Sequence, residues 1–166
     1  MDNIRLRPLI VEDASAMAIL GNNEKVSANL RDTFPFPYTE QDALHFIQTI
    51  AVHPDGLFRA IEVNGEFAGT ITVRRNSDIY QKTGEIGYWL GEPFWGKGIA
   101  SRAVSMICEE VFQKFALVRI QAEVFARNIP SQKVLEKCGF QLEGTLRKSV
   151  YKRGEIIDAK MYALVR

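Results

Sequence analysis

The chain has 166 residues, of which 46% are hydrophobic and 25% are charged, and this length fits a single domain (1–166) with a sizeable core. Its formal net charge is only +1, which argues against an obligate nucleic-acid partner, because such proteins present a strongly basic face. No apolar run approaches the length that crosses a bilayer, and residues 1–5 lack a signal-peptide core. We therefore expect a cytoplasmic protein without a membrane partner.

The cysteine and histidine residues do not form a pattern that binds metal. Cys108 and Cys138 fall on predicted helices without C-x-x-C spacing, and His45 and His53 are isolated from other ligand types. We interpret the cysteines as small core residues in a reducing compartment, and we expect neither a disulfide nor a metal site.

The first half of the chain alternates between short strand and helix patterns. In chain order it predicts a strand at 4–7, a helix at 11–20, a proline-rich loop at 31–38, a helix from a Thr39 cap to Ile50, strands at 57–63 and 67–74 joined by Asn64-Gly65, a polar loop at 76–83 and a strand at 85–90. Asn-Gly is the most reliable short hairpin turn, and Asp42 completes a near capping box with Thr39.

The second half repeats this mixture. It predicts a helix from Ile99 to Phe115, a strand at 118–125, a helix after Asn128 that ends at Gly139, and strands at 142–152 and 156–164 around Arg153-Gly154. Helices interleaved with hairpins predict a mixed α/β (α+β) fold, in which one sheet carries helices on both faces.

Two glycines join the strand at 85–90 to the long helix, in the segment Phe94-Trp95-Gly96-Lys97-Gly98-Ile99-Ala100-Ser101. A helix start has unpaired N–H groups and the positive end of the macrodipole, and glycine lets an anion approach them closely. The P-loop spacing is absent, and a dinucleotide fingerprint would need glycine at 101. The segment therefore predicts either a pyrophosphate site or an ordinary tight turn.

Together with the segment from Asn128 to Phe140, this loop resembles the GNAT superfamily of N-acetyltransferases. Trp95, Gly98 and Ala100 align with the pyrophosphate motif Q/R-x-x-G-x-G/A, and 128–140 matches the signature N-x-x-S-x-x-x-x-x-x-x-G-F. Tryptophan at the first position departs from the general motif but is common in the branch that resembles the RimJ/RimL ribosomal-protein N-terminal acetyltransferases. The resemblance extends over nearly the whole chain.

This resemblance implies the GNAT fold: a splayed, mixed but mostly antiparallel sheet of six to seven strands, with acetyl-CoA as cosubstrate and no metal. The strands at 85–90 and 118–125 would separate, so that the two amides of pantetheine pair with exposed backbone groups. The implied cofactor-binding residues are Tyr88, Trp89, Leu90, Gly91, Trp95, Gly96, Lys97, Gly98, Ile99, Ala100, Ser101, Arg102, Asn128, Ser131 and Lys133. For Lys97, Arg102 and Lys133, the ordinary alternative is a solvated basic side chain.

Acetyl transfer to an amine needs a neutral nucleophile, a stabilised oxyanion and a leaving thiolate. Glu85 is the first candidate for the general base and Glu123, on the neighbouring strand, the second, with an ordered water as the alternative. An N–H group near Leu90 is the expected oxyanion donor. No acyl-enzyme is needed, so Cys138 is not assigned as a nucleophile.

Many GNAT members carry a tyrosine seven residues after the motif asparagine, where it protonates the thiolate. That position is Leu135 here, which has no proton to give. The resemblance to the RimL-like branch implies that Ser131 contacts the sulfur instead, although serine is also an ordinary helix-start residue. Tyr151 and Tyr162 remain alternative donors.

The loop around Phe34, Phe36 and Tyr38 is predicted, with Glu85, to form the acceptor wall, unless it simply packs on the core. Three functions remain open at this point. The chain is an N-acetyltransferase for a primary amine such as a protein α-amine, the same kind of enzyme for a small amine (a polyamine, an amino acid derivative or an aminoglycoside), or a non-catalytic acyl-CoA sensor. The sequence leaves both a monomer and a homodimer open.

Overall fold

The computed structural model describes residues 1–166 and contains seven strands and five α-helices. The strands are β1 (Ile4–Arg7), β2 (Gly56–Val63), β3 (Glu66–Arg75), β4 (Thr83–Leu90), β5 (Arg119–Phe125), β6 (Gln141–Lys152) and β7 (Glu155–Val165). The helices are α1 (Ala14–Gly21), α2 (Glu24–Ser27), α3 (Glu40–His45), α4 (Ile99–Phe115) and α5 (Ile129–Lys137).

All seven strands join one sheet in the order β1-β2-β3-β4-β5-β7-β6. Every neighbouring pair is antiparallel except β4 and β5, which run parallel. The predicted mixed, mostly antiparallel sheet of six to seven strands with helices on both faces is therefore confirmed.

The parallel pair separates soon after it begins. β4 and β5 are paired only through Thr83–Arg119, Gly84–Ile120 and Glu85–Gln121, whereas both strands continue for several residues beyond that point. Their outer edges are occupied by β3 and β7, so only the facing inner edges are left without a strand partner. The predicted gap between these two strands is thus present.

Two apolar clusters hold the helices against the sheet. On one face, α4 and α5 pack through residues such as Ile107 and Leu135 onto Ile71, Ile86 and Ile120 of the strands. On the opposite face, the segments around α1 to α3 pack onto the sheet through a smaller cluster that includes Met17, Ala43, Ala60 and Trp89. Because side chains alternate along a strand, successive residues of β4 belong to different faces of the sheet.

Local signals placed most element boundaries within a residue or two. Asn64 and Gly65 both have positive φ in the turn between β2 and β3, as the Asn-Gly signal requires. The Thr39 hydroxyl accepts a hydrogen bond from the Asp42 N–H at 3.2 Å, and the Asp42 carboxylate accepts from the Thr39 N–H at 2.8 Å. This capping box starts α3 where the sequence predicted it.

Three features differ from the prediction. The helix expected at 11–20 opens as a 3₁₀ turn over Val11–Asp13, where the Asp13 carboxylate accepts hydrogen bonds from the Arg7 guanidinium and from the Ile10 N–H. The helix expected through Ile50 is α-helical only to His45 and widens to a π-turn over Phe46–Ile50. The short helix α2, capped by the Asn23 side chain, was not predicted because four residues give too little periodicity.

None of the helices is both long and apolar enough to cross a membrane.

Candidate active site

The gap between β4 and β5 opens into a cleft with a volume of about 1390 Å³. It brings both sequence motifs together with the predicted acceptor loop. The predicted residues that line it are Phe34, Tyr38, Glu85, Tyr88, Trp89, Leu90, Trp95, Gly96, Lys97, Gly98, Ile99, Ala100, Ser101, Glu123, Asn128 and Ser131. Residues that are distant in sequence thus form one concave surface at the separation of the two strands.

Four of the predicted site residues are not part of the cleft lining: Phe36, Gly91, Arg102 and Lys133. The guanidinium of Arg102 donates instead to the carbonyl of Asp2, and the N–H of Gly91 donates to the carbonyl of Ala68. Phe36 lies beneath the guanidinium of Arg153, at 5.7 Å from ring centroid to guanidinium carbon. Lys133 is exposed, so its side chain is a solvated cation here.

The glycine loop adopts a conformation that favours glycine. Gly96 and Gly98 have φ of +71° and +73°, and at either residue a Cβ would have no atom within 4 Å apart from those of the adjacent residues. Gly98 is the N-cap of α4, and the indole N–H of Trp95 donates at 2.8 Å to the carbonyl of Leu90, which fixes the loop to the end of β4. The loop therefore presents exposed backbone and the start of a 17-residue helix to the cleft.

The second motif positions a serine at the other side of the gap. The side-chain oxygen of Asn128 accepts a hydrogen bond from the N–H of Ser131 at 3.4 Å, as an N-cap residue does. The hydroxyl oxygen of Ser131 lies 2.7 Å from that of Tyr88, which projects from β4 toward α5. Burial raises the pKa of Tyr88 to about 12, against the opposing effect of its hydrogen bond to Ser131, so the phenol is protonated at neutral pH.

The sequence predicted a role only for the backbone of Tyr88, as part of the cofactor-binding strand, and none for its hydroxyl. Strand alternation is the signal that could have found it, because Tyr88 shares a sheet face with the buried Ile86 and therefore points toward the helix that carries Ser131.

Two carboxylates lie on the opposite face of the sheet from this hydroxyl pair. Glu85 accepts a hydrogen bond from the Arg31 guanidinium at 2.6 Å, and this ion pair connects β4 to the predicted acceptor loop. Glu123 is exposed and lies two residues beyond Gln121, the register partner of Glu85. It takes part in no ion pair or side-chain hydrogen bond, so Glu123 is the one of these two carboxylates without a charged partner.

Aromatic side chains close one end of this face. Phe34 stacks on Tyr38 with ring centroids 4.4 Å apart and contacts Trp89 edge-on at 5.5 Å. Tyr38 is almost fully buried, and burial raises its pKa to about 12. The loop thus both packs on the core and lines the cleft, so the two interpretations offered by the sequence are compatible.

The remaining candidate groups are occupied or distant. The hydroxyl of Tyr162 is buried and donates to Glu136 at 3.0 Å, and Tyr151 is exposed, so neither tyrosine lines the cleft. The thiol of Cys138 donates to the carbonyl of Ser101 at 3.2 Å. Leu135 is fully buried in the core. No group of three or more histidine, cysteine, aspartate or glutamate side chains is placed to hold a metal ion.

Residues 3–141 match the model of the acetyltransferase (GNAT) domain, and the chain belongs to this family of N-acetyltransferases. Its curated relatives include an uncharacterized N-acetyltransferase, p20, of Bacillus licheniformis. That protein is 33% identical over 171 residues, with 99% of this chain and 94% of the relative aligned. The predicted family and enzyme class are therefore confirmed.

Two further comparisons concern the RimJ/RimL-like branch. The ribosomal-protein-serine acetyltransferase of Escherichia coli (strain K12) is 29% identical over 133 residues, which cover 78% of this chain and 74% of that protein. Mycobacterium smegmatis RimJ, solved in complex with CoA-disulfide, superposes with a TM-score of 0.86 at 27% identity, over 98% of this chain and 81% of that one. The predicted similarity to this branch and the use of coenzyme A as the acetyl carrier are confirmed, whereas the roles of individual site residues stay predictions.

Proposed function

We propose that this N-acetyltransferase transfers the acetyl group of acetyl-CoA directly to the α-amine of a protein N-terminus. One observation carries the proposal: the separated strands β4 and β5 divide the cleft into two sides. The hydroxyl pair of Tyr88 and Ser131 lies on one side, and the carboxylates of Glu85 and Glu123 lie on the other. A thioester held in the gap would meet its leaving-group contact and its nucleophile from opposite directions.

The donor would enter along the inner edges of the two strands. Backbone N–H groups of residues 96–101 and the side chain of Lys97 would bind the pyrophosphate, because exposed glycine backbone at a helix start favours anions. The amides of pantetheine would pair with the β4 edge, where no strand competes for the backbone groups. This arrangement leaves the thioester carbonyl between Tyr88 and Glu123.

On the acceptor side, the structure favours Glu123 over Glu85 as the proton acceptor. The carboxylate of Glu85 is already occupied by the guanidinium of Arg31, whereas Glu123 has no such partner and can face the amine directly. We therefore assign Glu123, acting directly or through a water, to remove the ammonium proton before attack. Glu85 would instead position the amine and the acceptor loop.

An α-amine suits such a weak base. Its pKa is roughly 2.5 units below that of a lysine side chain, so deprotonation at neutral pH costs about 3.4 kcal/mol less. Holding the neutral amine against the thioester then supplies much of the rate, because a bimolecular step becomes effectively unimolecular. The lower pKa of the α-amine therefore supports an N-terminal acceptor over a lysine side chain.

On the leaving-group side, Ser131 would donate a hydrogen bond to the thiolate as the carbon–sulfur bond breaks. The protonated phenol of Tyr88 can donate to the Ser131 oxygen, which turns the serine proton toward the sulfur. A thiol is acidic enough, with a pKa near 8.5, to leave as the thiolate when it is stabilised in this way. The ammonium loses two protons in all: the one that Glu123 removes before attack passes to solvent, and the one that leaves the nitrogen after attack balances the proton that the thiolate finally takes up.

The test is a thiol-release assay with acetyl-CoA and paired peptides, identical except for a free or a formylated N-terminus, each with an internal lysine. Release only with the free α-amine, with the label located at the N-terminus by mass spectrometry, is the expected result. Equal reaction of both peptides at the lysine, or reaction only with small amines, would contradict the proposed acceptor.

A further inference from the structure

The acceptor side of the cleft carries several charged side chains, and most of them are already paired with one another. Arg31 binds Glu85, and Lys25 binds Glu92. Arg75 binds Asp55, which also lies 4.0 Å from the ring of His53. The two partners of each pair neutralise each other, so these residues leave little net charge to recognise a ligand.

Two charged residues on this side have no such partner. Arg74, exposed at the end of β3, and Glu123, exposed on β5, both line the cleft and take part in no ion pair or side-chain hydrogen bond. Lys97 is also unpaired, but it belongs to the pyrophosphate loop. The acceptor side therefore presents one free cation and one free anion.

The sheet register places these two charges on either side of the same strand. Arg74 is the direct antiparallel partner of Glu85 in β4, which puts their Cα atoms about 5 Å apart and their side chains on one face. Glu123 lies beyond Glu85 in the other direction, across the parallel pair. A ligand that contacts both Arg74 and Glu123 would therefore cross the middle of β4.

At that crossing point β4 has a glycine that the protein's own packing does not require. A Cβ at Gly87 would meet only the hydroxyl of Thr72, at 3.8 Å, and the residue is exposed with no positive φ. By contrast, a Cβ at Gly84 in the same strand would come within 2.8 Å of Leu117 and Val73. Glycine inside a strand weakens it and often marks the close approach of a ligand, so Gly87 fits the floor of an acceptor subsite.

We propose that the acceptor carries a carboxylate close to its reactive amine and that Arg74 binds this carboxylate while the amine lies toward Glu123. The acceptor chain then passes over Gly87, between the Glu85–Arg31 pair and the aromatic wall of Phe34 and Tyr38. For the N-terminal acceptor of the proposed function, on which this inference rests, the substrate class is a peptide with aspartate or glutamate at its second position.

The experiment compares two peptides that differ only at the second residue, aspartate or asparagine, behind the same N-terminal serine. For the unmodified enzyme we expect kcat/KM to favour the aspartate peptide about tenfold, the effect of one charge-assisted hydrogen bond. In Arg74→Gln this preference should disappear through a higher KM for the aspartate peptide, and Arg74→Lys should restore part of it. Arg75→Gln removes the same charge one residue away and should keep the preference.

Equal kcat/KM for the two peptides in the unmodified enzyme would overturn this assignment while leaving N-terminal acetylation intact. Equal loss of preference in Arg74→Gln and Arg75→Gln would also overturn it, because that result would reflect general electrostatics. If neither peptide reacts although acetyl-CoA binds, the proposed function fails and the assignment falls with it. Acetyl-CoA affinity, measured by calorimetry for each variant, separates these outcomes from misfolding.

Discussion

The hydroxyl oxygens of Tyr88 and Ser131 lie 2.7 Å apart, although the residues are separated by 43 positions in the sequence. Tyr88 comes from the strand that borders the gap in the sheet, and Ser131 comes from the first turn of α5. The contact brings a tyrosine hydroxyl from a strand to the first turn of α5, four residues before Leu135.

Ser131→Ala should therefore reduce kcat by about tenfold or more while leaving the affinity for acetyl-CoA nearly unchanged, because a contact to the departing thiolate strengthens only in the transition state. Tyr88→Phe should have a smaller effect of the same kind, since it removes only the group that orients Ser131. Steady-state kinetics with calorimetric acetyl-CoA binding measure both. Tyr151→Phe, at an exposed tyrosine outside the cleft, is the control. A loss of cofactor affinity that matches the loss of rate would assign Ser131 to binding alone.

The two carboxylates should respond differently to substitution. Glu123→Gln should reduce the rate most at low pH, where few α-amines are neutral and a base is needed, and least above the amine pKa of about 8. Glu85→Gln should mainly raise the acceptor KM, because it releases Arg31 and the acceptor loop. Rate profiles from pH 6 to 9 distinguish the two roles. The opposite pattern would return the base to Glu85.

Gly98→Val should weaken acetyl-CoA binding strongly by placing a branched side chain where the pyrophosphate would approach. Gly65→Val is a matched control, since both glycines have positive φ and no atom within 4 Å of the added Cβ. Each variant should lose roughly 1–2 kcal/mol of stability from left-handed backbone strain. Thermal unfolding and calorimetry are the measurements. Equal acetyl-CoA affinity in the two folded variants would count against the pyrophosphate assignment.

Gly87→Leu should raise the acceptor KM by about tenfold or more without changing acetyl-CoA affinity, because the new side chain would fill the floor of the acceptor subsite. Gly87→Ala should be tolerated, given that its Cβ has only one neighbour, at 3.8 Å. Gly144→Leu, in the exposed strand β6 with no atom near its Cβ, controls for the cost of leucine in a strand. Unchanged acceptor kinetics in Gly87→Leu would place the acceptor elsewhere.

The stability of the protein should decline above pH 10. Burial raises the pKa of Tyr38 and Tyr88 to about 12 in the folded state, whereas an unfolded tyrosine titrates near 10. Their stabilising contribution is complete below pH 10 and is lost as the pH rises toward 12, at about 1 kcal/mol per tyrosine by pH 11. Thermal melts from pH 8 to 11 measure the decline. Tyr88→Phe should make it shallower, and an identical slope would show that Tyr88 ionises freely in the fold.

The features that were predicted best from the sequence are turns, caps and helices whose conformation is set by residues close together in the chain. The Asn64-Gly65 turn, the Thr39–Asp42 capping box and the four-residue periodicity of α4 all reflect local backbone geometry, and each appears where it was expected. The same holds for the glycines at 96 and 98, whose positive φ is a local requirement of a turn into a helix.

The features that sequence reasoning missed join segments that are far apart. Glu85 is the first candidate for the base in the sequence, and only the fold shows that Arg31, 54 residues away, is paired with its carboxylate. Gly87 and Arg74 were not predicted as site residues. Their position in the cleft lining depends on the register between β3 and β4 and on the segments that pack over the sheet. The sequence by itself determined the elements, the family and the cofactor motif, since these rest on local backbone preferences. Only the tertiary structure decided which charges are paired, which hydroxyls meet and which residues line the cleft between β4 and β5, because those depend on long-range packing.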